Sequence, residues 1–171
     1  MEKFKLNLGC GKKYLDGYVN CDFNKRVKTD CVFDLNKFPY PIKDNIADEI
    51  LIDNVLEHLD NITLVMAEMH RILRRHGVAR IYVPYGKSDG ALQDPTHKHF
   101  FTENSMNYYT ENYKYSYYSD FSFDLSKVKL FFSENRPLLS KIRSMVPFKG
   151  LLKYYLLNIY DGVYFELKAL K

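Results

Sequence analysis

The sequence predicts an α/β protein built on a mostly parallel sheet. Short β-rich runs alternate with turns from Phe4 to about Ala79, and one strongly periodic helical segment lies between two of these runs. A glycine pair, Gly9 and Gly11, directly follows the first run, where a parallel sheet turns its chain toward a ligand.

The candidate strands are residues 5–8, 18–23, 31–35, 49–53 and 79–83. Before the last of them, Ile62, Val65, Met69, Ile72 and Leu73 recur at helical spacing, with Asp60 or Asn61 as the cap. Arg74, Arg75 and His76 then fall at the negative end of the helix dipole, and Gly77 supplies the stop. The loop PYGKSDGALQDPTHKHFFTENSMNYY is too long for a mere connection and reads as a lid or binding segment. A tyrosine-rich piece (108–118), a strand near 121–132, an apolar segment (137–160) broken at Pro147 and a closing strand (163–170) complete the chain. Leu151, Leu152, Leu156, Leu157 and Ile159 read as the core face of a helix covering the sheet; with Lys149 and Lys153 among them, a membrane surface or a partner is the other reading.

There is no internal repeat and no linker, so the reading is one domain over 1–171: a cofactor-binding half (1–84), then a substrate lid and C-terminal strands (85–171). Net charge is +4, from 25 basic and 21 acidic residues, which permits an acidic partner without requiring one. Cys10, Cys21 and Cys31 are odd in number and lack C-x-x-C spacing, so they read as thiols in a reducing compartment. MEKFKLNLGC has no leader pattern, and no run reaches the roughly 18 apolar residues of a spanning helix. A cytoplasmic location is expected.

A lone G-x-G is weak evidence, but the spacing to the next carboxylate discriminates. Asp22 ends the second strand eleven residues after Gly11 and is placed to accept hydrogen bonds from a ribose diol. The dinucleotide fingerprint puts its acidic residue about twenty residues on, after a full helix that holds a pyrophosphate. Here there is room for about one turn of helix, and Tyr14 occupies the place of the third glycine. S-adenosylmethionine carries no phosphate, so its site survives such shortening.

LNLGCG, VNCDFN, DLNKFPYPIKDNIADEILIDNVLEHL and MAEMHRILRRHGVARIYVPY together resemble the S-adenosylmethionine-dependent methyltransferases of the Rossmann-like class, in a compact type-11-like branch. The resemblance covers residues 5–109. It implies a seven-stranded, mostly parallel sheet with a C-terminal antiparallel strand, and S-adenosylmethionine as cofactor with S-adenosylhomocysteine as product. It places Gly9, Cys10 and Gly11 in the cofactor site, with the two glycines against the methionine part. Asp22 falls on the ribose hydroxyls, Asp34 and Leu35 beside the adenine, and Asp53 and Asn54 at the amino-acid end. Leu56, Glu57 and His58 match a recurrent LEH signature that shapes the pocket wall. Two departures stand out: Asn7 replaces an acidic residue near the cofactor's ammonium, and RRHG replaces a Lys-Pro-Gly-Gly turn.

Methyl transfer requires a nucleophile held close to the methyl group with water excluded, and a neutral oxygen also requires a base. DPTHKHFF offers His97 and His99, with Asp94 near enough to orient an imidazole. His97 is the expected base or substrate binder, and no metal is assigned. DNVL stands where an amide or base-amine methylase carries Asn/Asp-Pro-Pro-aromatic, which argues against a DNA methylase. The expected acceptor is a hydroxyl of a small molecule or glycan precursor. A cofactor-binding scaffold without turnover and an RNA methyltransferase are the alternatives, and the absence of a concentrated Lys/Arg run weighs against nucleic acid.

Overall fold

The computed structural model describes residues 3–133 and 137–171, except the side chain of Tyr118. Its strands are β1 (Lys5–Leu8), β2 (Val19–Asp22), β3 (Cys31–Val32), β4 (Ala47–Asp53), β5 (Leu73–Pro84), β6 (Ser122–Phe131) and β7 (Gly162–Leu170). They form one sheet in the order β3-β2-β1-β4-β5-β7-β6. β1 to β5 pair in parallel, and β7 alone runs antiparallel, between β5 and β6. The expected seven-stranded sheet is therefore present, with its antiparallel final strand.

Strand alternation decides which face is core. Along β5, Ala79, Ile81 and Val83 are buried while Val78, Arg80 and Tyr82 are only partly so. The buried face packs on α1 (Ile62–Ile72), whose Val65, Met66, Met69 and Ile72 are fully enclosed; each such side chain contributes about 1.5–3 kcal/mol. The Asn61 side-chain oxygen accepts from the Leu64 amide at 3.1 Å, the expected cap. On the other face, Tyr18 bonds Glu49, Arg80 reaches Glu49 (3.3 Å) and Glu166 (2.9 Å), and the Tyr164 hydroxyl donates to Glu166.

Three expectations need correction. First, α1 ends at Ile72, so Arg74, Arg75 and His76 do not form its last turn. Leu73 already pairs with Ala47, and the next matched pair is Val78 with Glu49. Residues 74–77 bulge between these pairings, with His76 at φ +62°. Gly77 is required there because a Cβ would stand 2.8 Å from the Ala47 carbonyl. Second, residues 9–18 form turns without any helix, and no helix intervenes between β1 and β4.

Third, the apolar segment does not cover the sheet. α3 (Pro137–Ser144), which follows the four-residue α2 (Asp89–Leu92), has no buried residue. Met145 is 76% exposed, and Phe148, just before α4 (Lys149–Leu152), is 80% exposed. The segment is held by polar contacts instead: Arg143 with Asp161, Lys153 with Glu103, and the Lys87 ammonium on the Tyr154 carbonyl. All three cysteines are free thiols, and no described helix is long and apolar enough to cross a membrane.

Candidate active site

The glycine turn packs closely beneath the end of β4. Gly9 (φ +70°) and Cys10 both donate their amides to the Cys21 carbonyl, at 2.8 and 3.0 Å. A Cβ on Gly9 would stand 2.5 Å from Cγ2 of Val55, whereas one on Gly11 (φ +49°) would meet nothing. Glycine at position 9 thus admits the chain following β4, not only a ligand. The Gly11 amide donates to Oδ2 of Asp22 and the Asn24 amide to Oδ1, both at 2.8 Å. These two bonds orient the carboxylate of Asp22, which is 7% exposed, and leave it further lone pairs.

Gly9, Asp22, Asp34, Leu35 and Asn54 converge with Val55 and His58 on a cavity of about 500 Å³, within the usual size of small-molecule sites. Asn7, Cys10, Gly11 and Asp53 lie outside its lining. The Asn7 side chain, 2% exposed, donates to the Asn20 side chain and the Lys13 carbonyl, both at 2.9 Å. It therefore braces the turn. Burial of Cys10 pushes its thiol up, and Asp53 pairs with Lys13 at 2.5 Å.

A second cavity, about 760 Å³, shares Asn54 and His58 with the first. Asn54 adopts the left-handed conformation (φ +53°), its amide held by the Tyr82 carbonyl at 2.9 Å. The single turn Leu56–His58 follows and delivers Glu57 and His58 to the wall. Glu57 is 1% exposed, yet among the described residues neither of its carboxylate oxygens has a hydrogen-bond partner. Burial pushes its carboxyl up to about 7.

His97, from the long loop, faces Glu57. Its Nε2 lies 3.9 Å from Oε1 of Glu57 and 3.8 Å from Oδ2 of Asp94. Its Nδ1 bonds the Ala91 carbonyl at 2.8 Å; a carbonyl only accepts, so Nδ1 carries the hydrogen and the neutral ring keeps a lone pair on Nε2. His58 meets His97 edge-on, with ring centroids 4.7 Å apart. Thr96 donates its hydroxyl hydrogen to Asp94 and so accepts from Nδ1 of His58 at 2.9 Å. By the same logic His58 keeps its lone pair on Nε2. The Thr96 hydroxyl and amide hold the Asp94 carboxyl below its usual range. Lys98 and His99 donate their amides to the Glu57 carbonyl, fastening the loop to the LEH turn.

The structure joins His97 and Asp94 but parts them from His99. His99 donates its Nε2 hydrogen to the Leu59 carbonyl at 2.9 Å and lines a different cavity, of about 450 Å³, with Thr63, Tyr108 and Tyr109. Tyr108, Tyr113 and Tyr115 pack on one another. The LEH motif conceals the most informative group, Glu57, because no residue pattern announces that its carboxylate is buried without a donor.

The family model described as a methyltransferase domain matches residues 6–81, from β1 into β5. No curated protein matches the chain in sequence. Among solved structures, a SAM-dependent methyltransferase from Archaeoglobus fulgidus superposes with TM-score 0.67 at 17% identity, covering 97% of this chain and 86% of its own. One from Mesorhizobium loti superposes with TM-score 0.64 at 10% identity, covering 98% and 91%. One from Thermotoga maritima gives TM-score 0.59 at 13% identity, covering 100% and 83%. At such identities the likeness establishes the fold.

Proposed function

We propose that this chain is an S-adenosylmethionine-dependent methyltransferase of the Rossmann-like class, and that its acceptor is a hydroxyl of a small molecule or glycan precursor bound in the larger cavity beyond Asn54. The observation that carries this reading is Glu57, buried without a hydrogen-bond partner beside the bare Nε2 of His97. An alcohol is a poor nucleophile until its proton is removed, and this pair is equipped to remove it.

The residues of the smaller cavity suit the cofactor. Asp22 has acceptor capacity left for a ribose diol, and Asp34 and Leu35 offer a polar and an apolar wall for the adenine. Asn54 would hold the amino-acid end, with Gly9 beneath. S-adenosylmethionine supplies an electrophilic methyl group on a sulfonium. His97 takes the acceptor's proton at Nε2, and Glu57 stabilises the resulting imidazolium through its negative charge. Asp94 holds the loop through Thr96, and His99 fixes the loop to Leu59. Asn54 and His58, common to both cavities, mark where the methyl group and the hydroxyl meet.

The test pairs binding with turnover. S-adenosylhomocysteine titrated into the native protein should bind, and bind more weakly to Asp22→Ala. Labelled methyl transfer to a panel of hydroxyl acceptors should fall about 10²- to 10⁴-fold in His97→Gln at unchanged S-adenosylhomocysteine affinity. Transfer only to amines or to RNA would overturn the reading.

A further inference from the structure

We propose that Glu57, His58 and His97 bind a divalent metal ion of the zinc class at the wall of the larger cavity. One ligand atom from each residue falls within a group whose members all lie within 4.8 Å of one another. Two imidazoles and a carboxylate are a donor set that holds zinc with one coordination position left open for a substrate. Ligand atoms about 2.0–2.2 Å from a tetrahedral ion stand roughly 3.4 Å apart. The 3.9 Å between His97 Nε2 and Glu57 Oε1 needs only a small inward shift to match.

Proximity alone would not make this a metal site; the surrounding hydrogen bonds add a second argument. A ligating histidine characteristically donates its other ring N–H to a carbonyl or to a carboxylate-linked group. His97 does so to the Ala91 carbonyl, and His58 to Thr96, whose own hydrogen goes to Asp94. Both rings are thereby held with Nε2 unprotonated. The Glu57 carboxylate beside them is buried and lacks any donor. With one ligand atom of each imidazole and of this bare carboxylate all within 4.8 Å of one another, the three form a set of acceptors without a donor, which a cation completes. The described lining agrees in sign: Asp89, Asp94 and Asp161 also border the cavity, and among the described residues Arg143, paired with Asp161, is its one guanidinium.

The inference rests on the reading of this cavity as the acceptor site and changes one step of it. With the cation bound, His97 serves as a ligand. The acceptor hydroxyl binds the open position and releases its proton to water, because the positive charge lowers its pKa. The resulting alkoxide then takes the methyl group as the sulfonium's S–C bond breaks and its electron pair returns to sulfur, leaving the neutral thioether S-adenosylhomocysteine, while the cation keeps its charge and oxidation state throughout.

The experiment is titration of the chelator-stripped full chain with Co²⁺, read by its visible absorption, and with Zn²⁺, read by calorimetry. One site per chain is expected. Glu57→Gln and His97→Gln should each weaken it at least about tenfold, and Thr96→Val, which removes the partner of His58 Nδ1, about 10- to 100-fold. His76→Asn, which removes an exposed imidazole elsewhere, should bind like the native chain. Circular dichroism of each metal-free variant separates lost binding from lost fold. Absent binding, binding undiminished in Glu57→Gln and His97→Gln, or a response to Mg²⁺ alone would overturn the proposal. Methyl transfer that survives chelation yet requires His97 would sink the metal and leave the acceptor reading standing. A metal bound at this cluster with no hydroxyl methylated would uphold the site and sink that reading.

Discussion

Replacing Glu57 with Gln should stabilise the metal-free protein at alkaline pH and change it little at acid pH. Burial raises the folded-state pKa of this carboxyl from 4.5 to about 7. Between these values the folded protein keeps a proton that the unfolded chain has already released, so stability declines as pH rises. The sign is that of a raised acid: its contribution is intact below pH 4.5, erodes through the interval, and is lost above pH 7. At about 1.4 kcal/mol per pH unit, the loss reaches about 3 kcal/mol. A glutamine has no charge to desolvate, and any cost of its amide is independent of pH. Urea unfolding of both proteins in chelator should therefore give a difference that moves in favour of Glu57→Gln by about 2.5 kcal/mol between pH 5 and pH 8. For a chain of this size that corresponds to about 5–10 °C in Tm. A pH-independent difference would refute the argument and show that Glu57 is solvated or paired in solution.

Other consequences can be checked separately. Asp22→Ala should reduce S-adenosylhomocysteine affinity about tenfold or more in calorimetry, because hydrogen bonds to a charged group contribute about 1.5–3 kcal/mol. Gly9→Ala should be far more destabilising than Gly11→Ala in chemical unfolding: both sit at positive φ, but only position 9 meets Val55 at 2.5 Å. The open position should cost about 1 kcal/mol, and Val55→Ala should partly rescue Gly9→Ala. Met69→Ala, in the core face of α1, should cost about 2–5 kcal/mol, whereas Met145→Ala should stay within about 0.5 kcal/mol.

What the sequence disclosed follows the range of the forces involved. β1, β6, β7 and the start of α1 are legible because alternation, periodicity and a capping Asn61 act over a few residues. The end of α1 misleads for the converse reason. Arg74, Arg75, His76 and Gly77 look like a local stop, but the helix is ended by a non-local event, the pairing of Leu73 with Ala47, and Gly77 answers crowding from that same residue. Helical spacing in 137–160 marks an apolar stripe without saying whether anything covers it, and most of its leucines stay exposed while Ile159 alone of the stripe is buried. Gly9, Asp22, Asp34, Leu35 and Asn54, which the resemblance assigns to the cofactor, line one cavity, because topology brings the ends of their strands to one edge of the sheet. Glu57 carried no such mark, since nothing in LEH states that its carboxylate lacks a donor. The division of His97 from His99 was equally hidden, because it depends on which carbonyl each ring reaches.

The short stretch from Asp53 to Leu59 concentrates the geometry of both cavities. The left-handed Asn54 turns the chain so that Val55 drops against Gly9, and this contact fixes the floor of the smaller cavity. The next turn sets Leu56 into the core and Glu57 and His58 toward the larger cavity. A shift in the Val55–Gly9 contact must therefore move the Glu57–His97 pair as well, since only Leu56 lies between Val55 and Glu57 and the Glu57 carbonyl clamps the loop carrying His97. The chain carries no helix between β1 and β4 to support the glycine turn from below. Its place is taken by the Asn7–Asn20 bond and the packing of Val55. On this reasoning the smaller cavity and the Glu57–His97 pair form one mechanical unit, and under the proposed function Val55→Ala should loosen S-adenosylhomocysteine binding and His97-dependent turnover together. Loss of one without the other in that variant would mean that the two cavities are positioned independently.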